Sequence, residues 1–596
     1  LTSCGLPAAW AGQAQWRILD TGFGLGQLFL ATWQAWKNDP QRPRLLHFVA
    51  TEASPASAAD LLRAADEVPD LSALATLLAD QWHGLLPGVH RLAFEDGHVL
   101  LTLGIGDAKT LLKAPTFEAD SVYLDGNTRQ PNTALWDAHW LNAVARCCRR
   151  GTRLATWTRS DGLIDQLQRC GFELSQRAAD AAQNEPLQAL FNPRWEPKKT
   201  AEPHKPTARS PARCVVIGAG LAGAACAASL ARRGWQVTLL DAHEAAAGGA
   251  SALPVGMMAP HVSPDDSGLS RLSRDGLRAT WQVAKTHLLA EVDWQASGVL
   301  QRRFDASGGL PSAWPQAGEH WSRLATSDET PDTLQTPETP AFTALWHTAG
   351  GWIKPKRLVE ALLRTPGIRQ RYGVQVAALK RAQNTGAEAA EATWQALNAN
   401  GDCLAEAELL VLAAGFDTAA LMEPHRPLPL QAIRGQVALG AVTPTHALPP
   451  FPVNGHGSFV PAFIGDNGTT QWLMGATFER DNPHAEIKDA DQQDIFRRLQ
   501  QLLPDTAKAL ESSFHSGQTQ AWAGVRCASP DHLPSVGPVD DAKLPGLCVC
   551  TAMGSRGLSF AVLCGELLAA WLHAEPWPIE KRLAQSLLAS RHHFSE

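Results

Sequence analysis

Two glycine-rich turns carry the residue types that hold nucleotide-like cofactors. In the second half of the chain, residues 213–217 (RCVVI) read as a strand. Gly218-Ala219-Gly220-Leu221-Ala222-Gly223 reads as a turn, and the small residues up to about Arg233 as a helix. A second strand, 235–240, ends at Asp241. Gly218 permits a tight turn, Gly220 lets a pyrophosphate approach the backbone, and Gly223 lets helix and strand pack closely. The helix N-terminus offers free N–H groups and the positive end of a dipole to phosphates. Asp241 can accept from ribose hydroxyls. On its own this unit leaves FAD and NAD both open.

The other turn is Asp20-Thr21-Gly22-Phe23-Gly24-Leu25-Gly26, again between a strand and a helix. Gly22, Gly24 and Gly26 keep bulky side chains away from an approaching cofactor. The next strand, LLHFVA, ends at Thr51-Glu52, and Glu52 can bind ribose hydroxyls. A third apolar stretch, VLLTLGIGDA, closes on Asp107, an acid within reach of an adenine amine. Residues 121–124 then lead to Asp125. Four strand ends, each with a small or acidic residue, fit a Rossmann-like S-adenosylmethionine methyltransferase.

These turns need scaffolds. Strand–helix alternation implies α/β units with parallel sheets and ligands at the strand C-terminal ends. The clearest break in composition is residues 192–213, with five prolines and six Lys/Arg against two Glu. Proline resists both helix and sheet, so this segment reads as an extended linker. The expected organisation is therefore 1–191, a basic Pro-rich linker at 192–212, and 213–596. With 596 residues, 45% hydrophobic and 19% charged, the chain can bury large cores. No stretch of 18 uncharged apolar residues occurs, so no membrane span is expected. The N-terminus lacks the basic-then-apolar pattern of a signal peptide. The 11 cysteines are scattered and form no CxxC, which argues against a disulfide framework and against a zinc site and fits a cytoplasmic protein. A net charge of −7 means that a nucleic-acid partner would need a local basic patch. Two are available: Arg194, Lys198, Lys199, Lys205, Arg209 and Arg213 in the linker, and Arg146, Arg149, Arg150 and Arg153.

Later features favour FAD. Gly249-Ala250-Ser251 follows Asp241 by about ten residues, LLVLAAG ends at Gly415, and Gly554-Ser555-Arg556-Gly557-Leu558 precedes a helix. With Arg434-Gly435-Gln436 and Ala523-Gly524-Val525-Arg526, this pattern resembles the D-amino-acid-oxidase-like FAD amine oxidases, which include glycine and sarcosine oxidases. The resemblance implies a Rossmann core joined to an antiparallel-sheet substrate domain. It places Gly554 and Gly557 beside the flavin ring and gives Arg526 the substrate carboxylate. A guanidinium offers a carboxylate two parallel donors. Arg556 would share that task or contact the flavin. No general base stands out, and the flavin itself carries the redox chemistry.

The two halves together are more specific. GFGLG, then an acid, then GDA, then LDG with Trp136 downstream, followed by the oxidase, resembles the bifunctional tRNA 5-methylaminomethyl-2-thiouridine biosynthesis family, MnmC. GASALPVGMMAP (249–260), Gly350-Gly351-Trp352-Ile353 and Gly475-Ala476-Thr477-Phe478 look like that family too. The resemblance implies that the FAD half removes the carboxymethyl group from 5-carboxymethylaminomethyluridine of the tRNA anticodon loop. The first half would then methylate the amine from S-adenosylmethionine, with Asp125 orienting or deprotonating it.

Three features depart from the family. The first domain is expected to lack roughly 50–60 N-terminal residues usual in the family, judged from strand one starting at about residue 17, a loss that typical domain sizes permit. The loop after Asp125-Gly126 carries Asn127 where the family has Phe. Asp20 and Gln27 stand where Glu and Asn are usual. The rival readings are an oxidase of free glycine or sarcosine with a degenerate first half, and a non-catalytic tRNA-binding protein with structural FAD.

Overall fold

The computed structural model describes residues 1–596 except 113–115, 125–137, 159, 176–185, 195–208, 305–308, 331–342, 383–392, 445 and 594–596. The chain divides into two compact units. The first is Leu1–Ser210 with Ala570–Arg582, and the second is Pro211–Ala569 with Leu583–Glu596.

The first unit is built on one sheet of eight strands: β1 Gln15–Asp20, β2 Leu45–Glu52, β3 Gly88–Phe94, β4 Val99–Ile105, β5 Ala119–Tyr123, β6 Cys148–Thr156, β7 Phe172–Leu174 and β8 Leu187–Phe191. Their spatial order is β3-β4-β2-β1-β5-β6-β8-β7. The five inner strands run parallel. β3 is antiparallel on one edge, and β8 and β7 on the other. All of β4 and β5 is buried, as befits strands covered on both faces. The helix Gln27–Asn38 covers one face with Phe29, Leu30, Trp33 and Trp36, a helical spacing. Each such side chain contributes about 1.5–3 kcal/mol by leaving water. The chain order reverses at β1, which lies between β2 and β5. A ligand crevice therefore belongs outside the carboxyl ends of these strands.

The strip Ala570–Arg582 completes this unit. Its carbonyls accept from Gln15 (His573 O, 3.3 Å), Arg17 (Ala574 O, 3.3 Å) and Arg91 (Pro576 O, 2.6 Å). Glu575, almost fully buried, lies 3.6 Å from His47 Nε2 of β2.

The second unit holds a six-stranded sheet in the order Ile368–Arg371, Gln236–Leu240, Arg213–Ile217, Leu409–Leu412, Leu547–Thr551, Ser535–Pro538. All neighbours are parallel except the last pair. A nine-stranded and largely antiparallel sheet forms the other layer, with Gln431–Ala441 and Gln520–Ala528 paired in it. Under the six-stranded sheet lie the helices Leu221–Arg232 and Gly557–Leu572. Their small residues allow close approach: a Cβ on Gly565 would sit 2.7 Å from Ala225 backbone. Glu566, in the second helix, takes Arg232, Arg233 and Ser229 from the first, and its carboxyl is held well below the usual range despite burial. The segment Gly554–Leu572 is long and apolar enough to cross a membrane by length and composition, but 78% of its most apolar 18-residue stretch is buried inside the fold. It is a core helix.

Candidate cofactor and substrate sites

In the second unit the glycine turn closes tightly. Gly218 has φ +107°, and a Cβ there would sit 2.4 Å from Ala413 O. A Cβ on Gly223 would sit 1.7 Å from Gly218 O. Side chains at these two positions would push helix and strand apart, so both glycines are required by packing. Gly220 is open except toward Ser251 Oγ. That hydroxyl accepts from Leu221 N (3.0 Å), the first N–H of the helix. Asp241 ends its strand as expected. Its Oδ2 accepts from Ala219 N (2.5 Å) and its Oδ1 from His243 N (2.8 Å), leaving lone pairs for a ribose hydroxyl. Gly415 and Gly554 follow two neighbouring parallel strands of the same sheet, have positive φ, and have open space where a Cβ would be. Gly557 opens the helix behind them, near Leu221. Three strand ends with small residues therefore line one edge of the sheet. This is a cradle with room and donors for a dinucleotide, and FAD fits it.

Arg526 lies on the strand Gln520–Ala528, opposite Ile433. Its Nη1 donates to Ser555 Oγ (2.8 Å) and its Nη2 to Thr477 O (2.9 Å). The guanidinium lies across Gly435, where a Cβ would meet Nη2 at 1.8 Å. Burial pushes its pKa down, and its hydrogen-bond partners are a hydroxyl and a carbonyl, not carboxylates. Two of five N–H groups are engaged, so the fork keeps donors for an anion. Burial also pushes Arg556 down. Burial, then Arg556 and Arg303, lower the pKa of His261, so these three side chains share one neighbourhood. Arg434, which the sequence places in a site-like motif, is fully buried. It binds Asp491, Glu479 and Gln436, and so holds the fold together. Ser555, Thr477, His261 and Phe478 were not singled out from the sequence as site residues. Only position within motif segments, as with Thr477 and Phe478 in GATF, pointed toward them.

In the first unit, Gly22, Gly24 and Gly26 follow β1, and Gly26 (φ +71°) caps the helix Gln27–Asn38. Glu52 reaches across from the end of β2: its Oε2 accepts from Gly24 N (2.9 Å) and its Oε1 from Ser54 N (3.0 Å). Asp20 Oδ1 accepts from Gly22 N (3.2 Å). The loop is thus shaped by two acids through the amides of Gly22 and Gly24, and Gly26 packs against the Phe23 ring, which a Cβ there would meet at 3.0 Å; the adenosyl and ribose parts of S-adenosylmethionine would lie along this loop. Asp107 caps the short helix Ala108–Leu111 through Oδ2 to Thr110 N (2.9 Å), and the Thr110 bonds lower its pKa. Asp125, Asn127 and Trp136 lie outside the described residues.

The basic patches fare differently. Arg149 pairs with Asp120, Arg150 donates to Asn192 Oδ1 and Pro193 O, and Arg153 donates to Cys4 O. Arg213 pairs with Glu408 (2.6 Å). These cations already hold the fold. Lys198, Lys199 and Lys205 lie outside the described residues. Among the described residues no group of three His, Cys, Asp or Glu is placed to hold a metal ion.

Comparison with known proteins agrees with this division. The profile of the FAD dependent oxidoreductase family matches residues 213–571, and that of an S-adenosyl-L-methionine-dependent methyltransferase family matches 69–192. A tRNA 5-methylaminomethyl-2-thiouridine biosynthesis bifunctional protein MnmC from Polaromonas naphthalenivorans is 53% identical over 99% of this chain and 92% of its own length. The same protein of Verminephrobacter eiseniae is 51% identical over 99% of this chain and 98% of its own. Among solved structures, glycine oxidase from Bacillus cereus is 19% identical, with a TM-score of 0.49, over 63% of this chain and 98% of its own.

Proposed function

The chain belongs to the family of tRNA 5-methylaminomethyl-2-thiouridine biosynthesis bifunctional proteins, MnmC, and on that footing we propose that it remodels the carbon-5 side chain of a wobble uridine in two steps. The carrying observation is a match that spans both units over 99% of the chain. A free amino-acid oxidase has no need of the methyltransferase unit, and that reading is not favoured.

The second unit acts on the N-substituted glycine of 5-carboxymethylaminomethyl-(2-thio)uridine. FAD, when bound, supplies the two-electron oxidation of the C–N bond, with oxygen as final acceptor. The resulting substrate imine takes up water, the C–N bond breaks, glyoxylate leaves, and an aminomethyl group remains. Gly218, Gly220, Gly223, Asp241, Ser251, Gly415, Gly554 and Gly557 would hold the cofactor. Arg526 orients the substrate by its carboxylate, and Arg556 adds positive charge nearby. The first unit then methylates the freed amine. S-adenosylmethionine, held by Gly22, Gly24, Gly26, Glu52 and Asp107, supplies the methyl group. Asp125 accepts the proton that the attacking amine loses.

The substrate is the anticodon loop of tRNA, with the wobble base turned out of its stack into each site in turn. A tRNA substrate, and ten buried free thiols out of 11, fit a cytoplasmic enzyme. Nucleoside mass spectrometry tests the reading. tRNA carrying the carboxymethylaminomethyl group is incubated with the full chain, with and without S-adenosylmethionine. Loss of the carboxymethyl group, then a methyl gain only with the donor, is the expected result. An unchanged nucleoside in the presence of bound FAD overturns it.

A further inference from the structure

Among the described residues of the second unit, Phe478 is the one aromatic among the large exposed apolar side chains, with 47% of its surface open. Leaving a phenyl ring in water forgoes stabilisation of about 25 cal/mol per Å². Nor is the ring exposed through slackness of its loop. Thr477, just before it, exchanges hydrogen bonds with Gln436 (Thr477 N to Gln436 O, 3.0 Å; Gln436 N to Thr477 Oγ1, 3.0 Å). Glu479, just after it, is held by Arg434 (3.2 Å) and Lys488 (2.9 Å). The fold pins both neighbours and leaves the ring out.

The ring also stands beside the substrate cation. Arg526 Cζ is 5.4 Å from its centroid, and the exposed Arg480 has its Cζ at 5.9 Å. In the substrate, four bonds separate the carboxylate carbon from carbon 5 of uracil, a reach of about 5 Å with ordinary bond lengths. With the carboxylate on Arg526, this tether is long enough for the pyrimidine to reach over the Phe478 ring, whose centroid is 5.4 Å from Arg526 Cζ. An aromatic face is a sequence-tolerant platform for an unstacked base.

We propose that Phe478 is the stacking platform for the uracil ring, and so the residue by which this oxidase prefers an N-substituted glycine carried on a base to a free one. The inference rests on the function proposed above. Arg526 takes the carboxylate and Phe478 the base.

The test follows anaerobic bleaching of the flavin in the full holoenzyme by 5-carboxymethylaminomethyluridine, and by N-methylglycine as the base-free comparison. Wild type, Phe478→Ala, Phe478→Leu and Phe478→Trp are each given an apparent Kd and a limiting reduction rate. Stacking on an aromatic side chain corresponds to a loss of roughly 5–150-fold on truncation. The ratio of nucleoside affinity to N-methylglycine affinity is expected to fall by that factor in Phe478→Ala and in Phe478→Leu, which keeps bulk without a π face. Phe478→Trp should restore it. An unchanged ratio in Phe478→Leu, or equal losses for both substrates, overturns the platform. Failure of both the nucleoside and the modified tRNA to bleach the wild-type flavin overturns instead the functional reading beneath it.

Discussion

Arg526 is set by its neighbours more than by its own strand. Ser555 and Thr477 fix the plane of the fork, and Gly435 leaves the lane in which it lies. Arg526→Lys keeps the charge but loses the planar pair of donors. Its kcat/KM on modified tRNA is expected to fall roughly 10–150-fold, measured by glyoxylate release. Gly435→Ala is a subtler probe. The new methyl would meet Arg526 Nη2 at 1.8 Å and the backbone Thr477 O at 2.9 Å, so guanidinium and backbone must both give: KM should rise toward that of Arg526→Lys, and thermal stability should fall as well. A Gly435→Ala enzyme with wild-type KM would count against the carboxylate role of Arg526. At this scale the sequence was most legible where chemistry demands the residue type itself, as with Gly218, Gly223 and Asp241. Ser555 and Phe478 were not legible as contacts, because Ser and Phe occur in any loop and only the fold brings them to Arg526.

The turn between the strand Arg213–Ile217 and the helix Leu221–Arg232 leaves no space at Gly223. Gly223→Ala should force backbone apart, cost about 1–3 kcal/mol, and lower the flavin bound per chain as read by absorbance. A second element-scale effect comes from His347, at the end of the strand Thr343–His347. It is fully buried between Ser322 (2.8 Å) and Gln301 (2.9 Å), and burial, with Arg303 and His261, pushes its pKa down from 6.5 to about 3. The unfolded chain therefore binds a proton here between pH 6.5 and about 3 that the folded chain refuses. Stability is full above 6.5 and falls by about 1.4 kcal/mol per pH unit below it. Urea unfolding of the second unit at pH 7 and pH 5 should show this slope, and His347→Asn should flatten it. Parallel strands were legible because continuous apolar runs alternate with helices. The antiparallel edges β3, β7 and β8 were not: β7 and β8 are only three and five residues long, and β3 mixes Gly, His and Arg with its apolar residues, so none is a continuous apolar run.

At the scale of the whole molecule, the two cofactor turns were visible in the sequence, and the membership of Ala570–Arg582 in the first unit was not. Nothing in AWLHAEPWPIEKR marks it as a partner of β1 and β3. Its backbone carbonyls do the binding, and carbonyls carry no sequence signature. Arg91 bridges Thr102 Oγ1 (2.9 Å) and Pro576 O (2.6 Å) from a buried position. Arg91→Met should cost the first unit about 1–3 kcal/mol by stranding a buried acceptor. Methyl transfer should then fail at a lower temperature than glyoxylate release in the same preparation. Coincident loss of both activities would mean that the strip is not specific to the first unit.

That strip also puts a clock on biogenesis. The ribosome finishes residues 1–210 early, and the strip that completes their fold is translated about 360 residues later. At ordinary elongation speeds the delay is roughly 20–70 s. During that time the sheet of the first unit waits on the nascent chain with Arg17 held by Asp120 and Arg91 by Thr102, but without the strip's carbonyls. A chain cut short before residue 570 therefore presents the first unit without the carbonyls that Gln15, Arg17 and Arg91 bond in the finished fold.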